Sequence, residues 1–533
     1  LLALALLHLL LVAPNHPRAL TFDALTLLPL ELPLLLLGVM AVSRWPWAVR
    51  GVAVALGVVL AGLTFAKIAD VSAQLALARR FNWLLDGHLI AASWEFLTGV
   101  IGPVGAGLTA VALVGLLTAI AGGVAWAVGE IAAAGRHLGP ARALAVGGLV
   151  AAAFVSLAIQ RHTTALSPPI EAFTSKLAVS HVRGVVSNWN DLARFRDAAA
   201  GDAFATLPSE RLLKGLGRRD VVLTFVESYG RSAITHPRYR QRTRAALDRL
   251  DRAVAARGLA ARSAWLTAPT VGGQSWLSHA TFLSGLWVDN QSRYAALVNS
   301  DRRALTHLFG RAGWRRVAVM PAITRAWPDG RYYGYDRIYD EAALDYAGRP
   351  FNWVTMPDQY SLAALSRREL TEQRDKPVFA EVAMISSHAP WTPVPPVLAW
   401  DAIGDGSVFN RWADSGDPPA EVWRSPERVR AQYGKAIGYV LKTLGAFVDD
   451  KLPADAVLIV LGDHQPAPLV TGPDTTRQVP THIIGPPEVL DKLDAWDWSA
   501  GLVPAANAPV WRMDTFRDHF LSAFTPGSAA GES

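Results

Sequence analysis

The chain holds no cysteine in its 533 residues, which excludes disulfides and thiolate metal sites. It has no run of lysine and arginine either. Its 51 basic and 45 acidic residues leave a formal charge of only +6, and the basic ones, mostly arginine, are scattered. No nucleic-acid tract can be read from that pattern; a solvated surface, or attraction to anionic lipid headgroups, is what it supports. No internal repeat is present, and only the tail from Gly527 is low in complexity. Charge is scarcest in the first third. A hydrophobic fraction of 51% and a mean hydropathy of +0.21 are high for a soluble enzyme, and the excess lies there. The length exceeds one ordinary domain.

Apolar runs in that third reach the roughly 20 residues a bilayer-crossing helix needs. Gly51 to Ile68, Phe96 to Gly129 and Ala143 to Gln160 are three of them. Leu25 to Ser43, carrying Glu31, makes a fourth, and Leu1 to Pro14 reads as the remainder of a fifth. A cleavable signal peptide does not account for several successive runs. Arg44 and Arg50 flank one short loop and Arg136 and Arg142 another, which fits both being cytoplasmic. Everything after Arg161 is then expected outside the cytoplasm. Leu75, Leu77, Phe81, Leu84 and Leu85 suggest an amphipathic helix lying at the interface. Glu31 is expected near a headgroup region.

Beyond a polar connector with Ser167, Pro168 and Pro169, strands alternate with helices. Strands are expected at 220–226, 264–267, 316–320, 378–385, 456–461 and 481–484. Helices are expected at 239–257, 275–283, 302–309 and 514–523, and at 426–448 with Ser425 as its cap. That alternation implies a mostly parallel sheet covered on both faces.

Two of these strands stop abruptly at hard metal-ligand side chains. VVLTFVESYG ends on Glu227, and VLIVLGDHQP delivers Asp463 and His464 after Gly462. A divalent cation that activates an alcohol wants anionic oxygens and an imidazole on rigid strand ends. Taken singly, Asp463 could be a helix cap, His464 a surface residue and Glu227 a salt-bridge partner. Between them GGQSWLSHATFLSG places Ser275 at or near a helix amino terminus, where free amides favour phosphate. Metal coordination would make its hydroxyl a nucleophile. Ser275 could also be only an N-cap, and Thr270, Ser278 and Thr281 are rival hydroxyls.

This set resembles the sulfatase-like branch of the alkaline phosphatase superfamily. Within it the chain is similar to membrane-anchored lipoteichoic acid synthases and related phosphoglycerol and phosphoethanolamine transferases. By that resemblance Glu227, Asp463 and His464 correspond to metal ligands and Ser275 to a nucleophile that also binds the metal. SSHAPW carries a substrate-side histidine, His388, and VPTHIIGP matches the strand and turn that close the family's sheet; its His482 is either structural or a ligand of a second metal. AITRAWPDGRYYGYD offers Trp327, with Arg325 or Arg331 as a bidentate phosphate contact, for substrate binding; either arginine could instead be an ordinary surface residue. The family's transferases usually use threonine where Ser275 stands. Leu277 and His279 occupy the positions that formylglycine formation would require to be small or proline and arginine.

The resemblance implies a transmembrane domain at 1–165 of about five helices, a connector at 166–218, a catalytic α/β domain at 219–526 and a disordered tail at 527–533. It implies a multi-pass protein of the cell membrane with an extracytoplasmic, periplasmic catalytic domain. The expected activity is metal-dependent transfer of a phospho-headgroup from a membrane phospholipid to a glycan or lipid acceptor through a phosphoserine. The alternative is a phosphodiesterase, phosphatase or sulfatase-type hydrolase. One divalent cation is expected, manganese first, with zinc or magnesium admitted.

Overall fold

A computed structural model of the chain describes residues 1–83, 85–87, 89–138, 140–163, 170–472 and 476–527. Two compact units emerge, Leu1–Asn190 and Asp191–Ser533. Ser167, Pro168 and Pro169, and the tail beyond Gly527, lie outside the described residues.

Leucine, alanine and valine fill the helices of the first unit: α1 (Leu2–Val12), α2 (Glu31–Val42), α3 (Pro46–Leu77), α4 (Leu89–Leu138) and α5 (Pro140–Thr163), followed by α6 (Phe173–Ala200), which passes the boundary between the units. Proline at its first position preorganises α3, and Ala78 ends it in a left-handed conformation, φ 52°. Among the described residues α3 and α4 are the helices long and apolar enough to cross a membrane. Only 28% and 17% of their most apolar windows are buried, so these are not soluble-core helices. Val54, Val58, Val104, Leu108 and Val111 are exposed, a surface suited to lipid rather than water. Gly102, at φ 76°, interrupts α4 just before Pro103.

Two expectations are corrected. Leu25 to Ser43 is not one span: helix begins only at Glu31, because Pro29 holds Leu28 extended in a two-residue ladder with Ile170. At 12 residues α2 is roughly 18 Å long, short of a hydrocarbon core. Nor, among the described residues, is there an interfacial helix at 75–85; Leu84 lies outside them. Leu75 and Leu77 finish α3, and the next helix starts at Leu89.

Two buried charges of this unit, Lys67 and Glu31, are spent mainly on backbone, while Asp86 pairs with Arg79 (2.6 Å). The Lys67 ammonium donates to the carbonyls of Leu10 (2.8 Å) and Leu11 (3.1 Å), which the end of α1 leaves unpaired, and to Thr174 Oγ1 (3.0 Å). Glu31 Oε1 accepts from the Ser175 amide (2.8 Å) in the first turn of α6.

The second unit is a nine-stranded sheet: β1 (Val221–Val226), β2 (Ala260–Thr267), β3 (Arg315–Val319), β4 (Arg337–Tyr339), β5 (Val378–Met384), β6 (Val457–Gly462), β7 (Gln478–Gly485), β8 (Ser499–Ala500) and β9 (Val510–Arg512). The order is β8-β2-β7-β6-β1-β5-β3-β4, with β9 beside β2. From β6 to β4 every pairing is parallel; β7 runs antiparallel to β6 and β2, and β8 antiparallel to β2. β1 and β6 are buried along their whole length, as the β-branched runs require of central parallel strands. One face of the sheet packs α7 (Pro237–Ala256) and α9 (Pro426–Asp450) through Leu247, Leu250, Ile437 and Leu444. The other packs α8 (Ser275–Ser284) through Phe282 and Leu283, together with the C-terminal helix 516–524. Ser425 caps α9 as expected, its Oγ accepting from the Arg428 amide at 3.3 Å. The strand 337–339 and a helix at 358–368 were not foreseen.

Candidate metal and nucleophile site

Adjacent parallel strands end together, so β1 and β6 release Glu227 and Asp463–His464 at the same carboxyl edge, where Val226 pairs with Gly462. A Cβ on Gly462 would come within 1.8 Å of the Tyr229 carbonyl, so only glycine lets the two turns approach this closely. The third segment is pinned to the second: Val271 bridges to Gln465, and the Gly272 amide donates to the Gln465 carbonyl at 2.8 Å. Gly272 and Gly273 then turn at φ 75° and 155°, and Gln274 is left-handed at φ 65°. Ser228, next to Glu227, is left-handed too, at φ 58°. Non-glycine residues held there cost about 1–3 kcal/mol each and cluster at working sites.

These turns bring the expected quartet together. Ser275 Oγ donates to Glu227 Oε2 at 2.9 Å and lies 3.3 Å from His464 Nε2. His464 Nε2 is 3.3 Å from Glu227 Oε1 and 3.7 Å from Asp463 Oδ2. Glu227, Asp463 and His464 are buried, and Ser275 is half-buried. Ser275 is the first residue of α8 and makes no capping bond; Gln274 holds the cap position. Of the rival hydroxyls, Thr281 is absorbed by the Leu277 and Val288 backbone, while Thr270 and Ser278 are buried with no hydrogen-bond partner among the described residues.

Each of these three side chains is aimed by a second contact. The Gln465 carbonyl, an acceptor only, sits 2.9 Å from His464 Nδ1; the ring proton is therefore there, and Nε2 faces the carboxylates. Asp463 Oδ1 accepts from the amides of Ser228 (2.8 Å) and His464 (2.6 Å), which leaves Oδ2 for the centre. Ser228 Oγ donates to Glu227 Oε1, and Ser387 Oγ to the Glu227 carbonyl. Burial opposes charge on all three groups. For His464 the Asp463 and Glu227 carboxylates outweigh it and push the imidazole up to about 9. Burial and the Glu227 charge push Asp463 up, whereas the His464 and His388 charges, against burial, hold Glu227 well below the usual carboxylate range.

Two carboxylates and one imidazole concentrate negative charge where water is excluded, a costly arrangement without a cation. Two atoms across an ion with bonds of roughly 2.0–2.5 Å are at most about 5 Å apart. Ligand atoms of Glu227, Asp463 and His464 all lie within 4.8 Å of one another, so this donor set fits a divalent ion.

His388 stands beside this centre. Its ring stacks on Trp353 at 4.6 Å, its Nδ1 is 2.5 Å from the Ala389 carbonyl, and its charge bears on Glu227. Trp353 was not foreseen; a lone exposed tryptophan in a loop gives no periodic signal. Asp358 was missed too. Its Oδ1 accepts from the Ile385 (2.7 Å) and Ser386 (3.0 Å) amides and so fixes the loop that carries His388, and burial pushes its carboxyl up to about 7. Another unforeseen group lies one turn beyond Ser275: His279 Nδ1 is 2.7 Å from the buried Glu381, to which Tyr335 also donates. His482 is structural, held between Ser263 (2.7 Å) and Tyr229 (3.2 Å), and burial lowers it to about 3. Trp327 packs on Tyr333 at 5.7 Å, and Arg325 and Arg331 are exposed; no hydrogen bond joins Trp327 or Arg331 to the quartet.

An α/β sheet that gathers a hydroxyl and a metal-type donor set at its carboxyl edge defines a class of metal-dependent enzyme domain. The sequence over that region agrees: residues 219–483, most of the α/β unit, match the family model described as Sulfatase. Three solved structures are similar. The lipoteichoic acid synthase LtaP from Listeria monocytogenes is 13% identical with a TM-score of 0.37, over 54% of this chain and 70% of that one. Streptococcus pyogenes phosphoglycerol transferase GacH, in complex with sn-glycerol-1-phosphate, is 10% identical with a TM-score of 0.38, over 62% and 80%. The C-terminal periplasmic domain of EcEptC from Escherichia coli, in complex with Zn, is 13% identical with a TM-score of 0.39, over 58% and 82%. No curated protein sequence matches the chain.

Proposed function

We propose that the protein is a membrane-bound, metal-dependent transferase that moves a phospho-headgroup, phosphoglycerol or phosphoethanolamine, from a lipid donor to a hydroxyl of a glycan or lipid acceptor. The observation that carries it is Ser275 Oγ at 2.9 Å from Glu227 and 3.3 Å from His464, within the donor set. Glu227, Ser275, Asp463 and His464 would hold the cation, manganese, zinc or magnesium. When bound, the ion supplies the positive charge that favours the serine alkoxide and neutralises phosphate oxygens.

In the first step Ser275 Oγ, as the alkoxide whose proton has been lost to solvent, attacks phosphorus; the Oγ–P bond forms as the bond from phosphorus to the glyceride oxygen breaks. His388, protonated, gives its proton to that leaving oxygen. In the second step the acceptor oxygen displaces Ser275 from phosphorus and neutral His388 takes the acceptor's proton. Arg325, Trp327 and Arg331 are assigned to the phosphate and headgroup side. Two long apolar helices suit a donor that is itself a lipid. We assign 1–165 to a multi-pass membrane domain and 219–526 to an extracytoplasmic catalytic domain.

A sulfatase-type hydrolase is the second reading, favoured by the description of the matching family. Leu277 and His279 stand against it, because formylglycine formation wants a small or proline residue and an arginine at those places. Mass spectrometry of the purified protein incubated with bacterial phospholipids separates the two. A phospho-headgroup adduct on Ser275 supports transfer. Turnover of soluble aryl sulfates or phosphates, with no adduct from lipid, overturns it.

A further inference from the structure

Several arginines of the α/β unit are matched with an acid, among them Arg219 with Glu488, Arg293 with Asp191, Arg315 with Glu369, Arg374 with Asp220 and Arg517 with Asp202. Helix α7 gathers six that are not. Arg238, Arg240, Arg242, Arg244, Arg249 and Arg252 are all exposed, and among the described residues none of them forms an ion pair. Asp248 and Asp251 are the only acids on the helix.

Spacing sorts these charges. Tyr239, Thr243, Ala246, Leu247, Leu250 and Val254 are buried and face the sheet. Arg238, Arg242, Arg249 and Arg252 follow at i, i+4, i+11 and i+14, one continuous stripe, with exposed Ala245 inside it. Asp251 falls on the other flank with Arg240 and Arg244, and Asp248 lies between that flank and the stripe, at i+4 from Arg244 and i−4 from Arg252. The stripe borders α9, where a Cβ on Gly438 would lie 3.2 Å from Arg242 Cδ, and α9 adds exposed Lys435 and Lys442. A merely solvated helix gains from interleaved acids at i+4; Arg252 has one in Asp248, whereas Arg238, Arg242 and Arg249 have no acid of the helix three or four residues away.

We propose that the arginine stripe of α7 docks on an anionic phospholipid surface. Two features favour lipid over another polyanion. The same chain carries helices long and apolar enough to cross a bilayer, so this unit stays tethered near headgroups and weak contacts are multiplied by a high effective concentration. Arginine also presents a planar fork that pairs bidentately with phosphate. Each arginine at such a surface should change the docked fraction about fivefold, and the attraction should die away within about a Debye length.

The cysteine-free chain makes the test direct. Ala245→Cys supplies a unique thiol on the stripe of the full-length protein, and a fluorophore there reports quenching by a lipid-borne nitroxide. Nanodiscs of phosphatidylcholine are compared with nanodiscs that also contain phosphatidylglycerol. The expected result is stronger quenching in the anionic discs. It should be lost when salt is raised from about 0.1 to about 1 M, where the Debye length falls from roughly 10 to roughly 3 Å. It should also fall steeply in a variant carrying Arg238→Gln, Arg242→Gln, Arg249→Gln and Arg252→Gln. Equal quenching in both discs overturns the proposal, whatever the variant does. So does a wild-type signal indifferent to salt. Binding of soluble duplex DNA or polyphosphate to the label face, without a response to anionic lipid, assigns the stripe to another polyanion and overturns it as well.

Discussion

Both units bury charge, yet they do so to different ends. In the first, Lys67 and Glu31 each meet backbone: the ammonium closes the end of α1 and the carboxylate accepts an amide at the start of α6. Their charges answer the unpaired groups that helix ends leave behind. In the second, Glu227, Asp463 and His464 turn toward one another and Ser275, and their backbone contacts serve only to aim them. A buried charge is therefore not a site by itself. Convergence of several donors on one point, with the negative charge unbalanced, is what distinguishes the sheet edge.

The sharpest test of that contrast is Ser275→Ala. Turnover should fall by about 10³-fold or more, the scale of nucleophile removal, while the three remaining ligands still take up a cation in elemental analysis. Asp463→Asn should instead lose cation and activity together; a variant that kept full cation content would break the assignment of the cluster. Without a cation His464 is raised to about 9, so at neutral pH the site holds protons that a cation must displace. Cation affinity should therefore weaken as pH falls below about 9, by at most roughly tenfold per pH unit for each proton displaced, and titration calorimetry in buffers of different ionisation enthalpy should show proton release on loading. Lys67→Met should leave cation content and pH profile unchanged but lower stability by about 1.5–3 kcal/mol, the worth of hydrogen bonds to a charged group, as a lower unfolding midpoint in detergent. The smallest effect is expected from Glu31→Ala, about 1 kcal/mol, the usual cost of a lost helix cap, read in the same melt.

Much of the α/β unit was legible in the chain. The β-branched runs 221–226 and 457–462 announce central parallel strands, and serine followed by proline announces the start of α9. Strand 337–339 escaped because three residues carry no period. The apolar third was read less well. Apolar length suggests spans, but Pro29 and the Gly102–Pro103 break decide where helix begins and bends, and composition averages over them. Asp358 and Trp353 act through residues distant in the chain, so no local pattern marks them.

Residue identity alone determined that any metal would be bound by oxygen and imidazole, since there is no thiol to compete. It also determined that Glu227 and the Asp463–His464 pair would stand at strand ends, because β-branched runs stop there. Only the tertiary structure decided that β1 and β6 are neighbours, that Val271 bridges Gln465, and that Ser275 meets the carboxylate at hydrogen-bond distance. Strand order and turn geometry are set by packing across the whole sheet, and no local stretch of sequence carries that information.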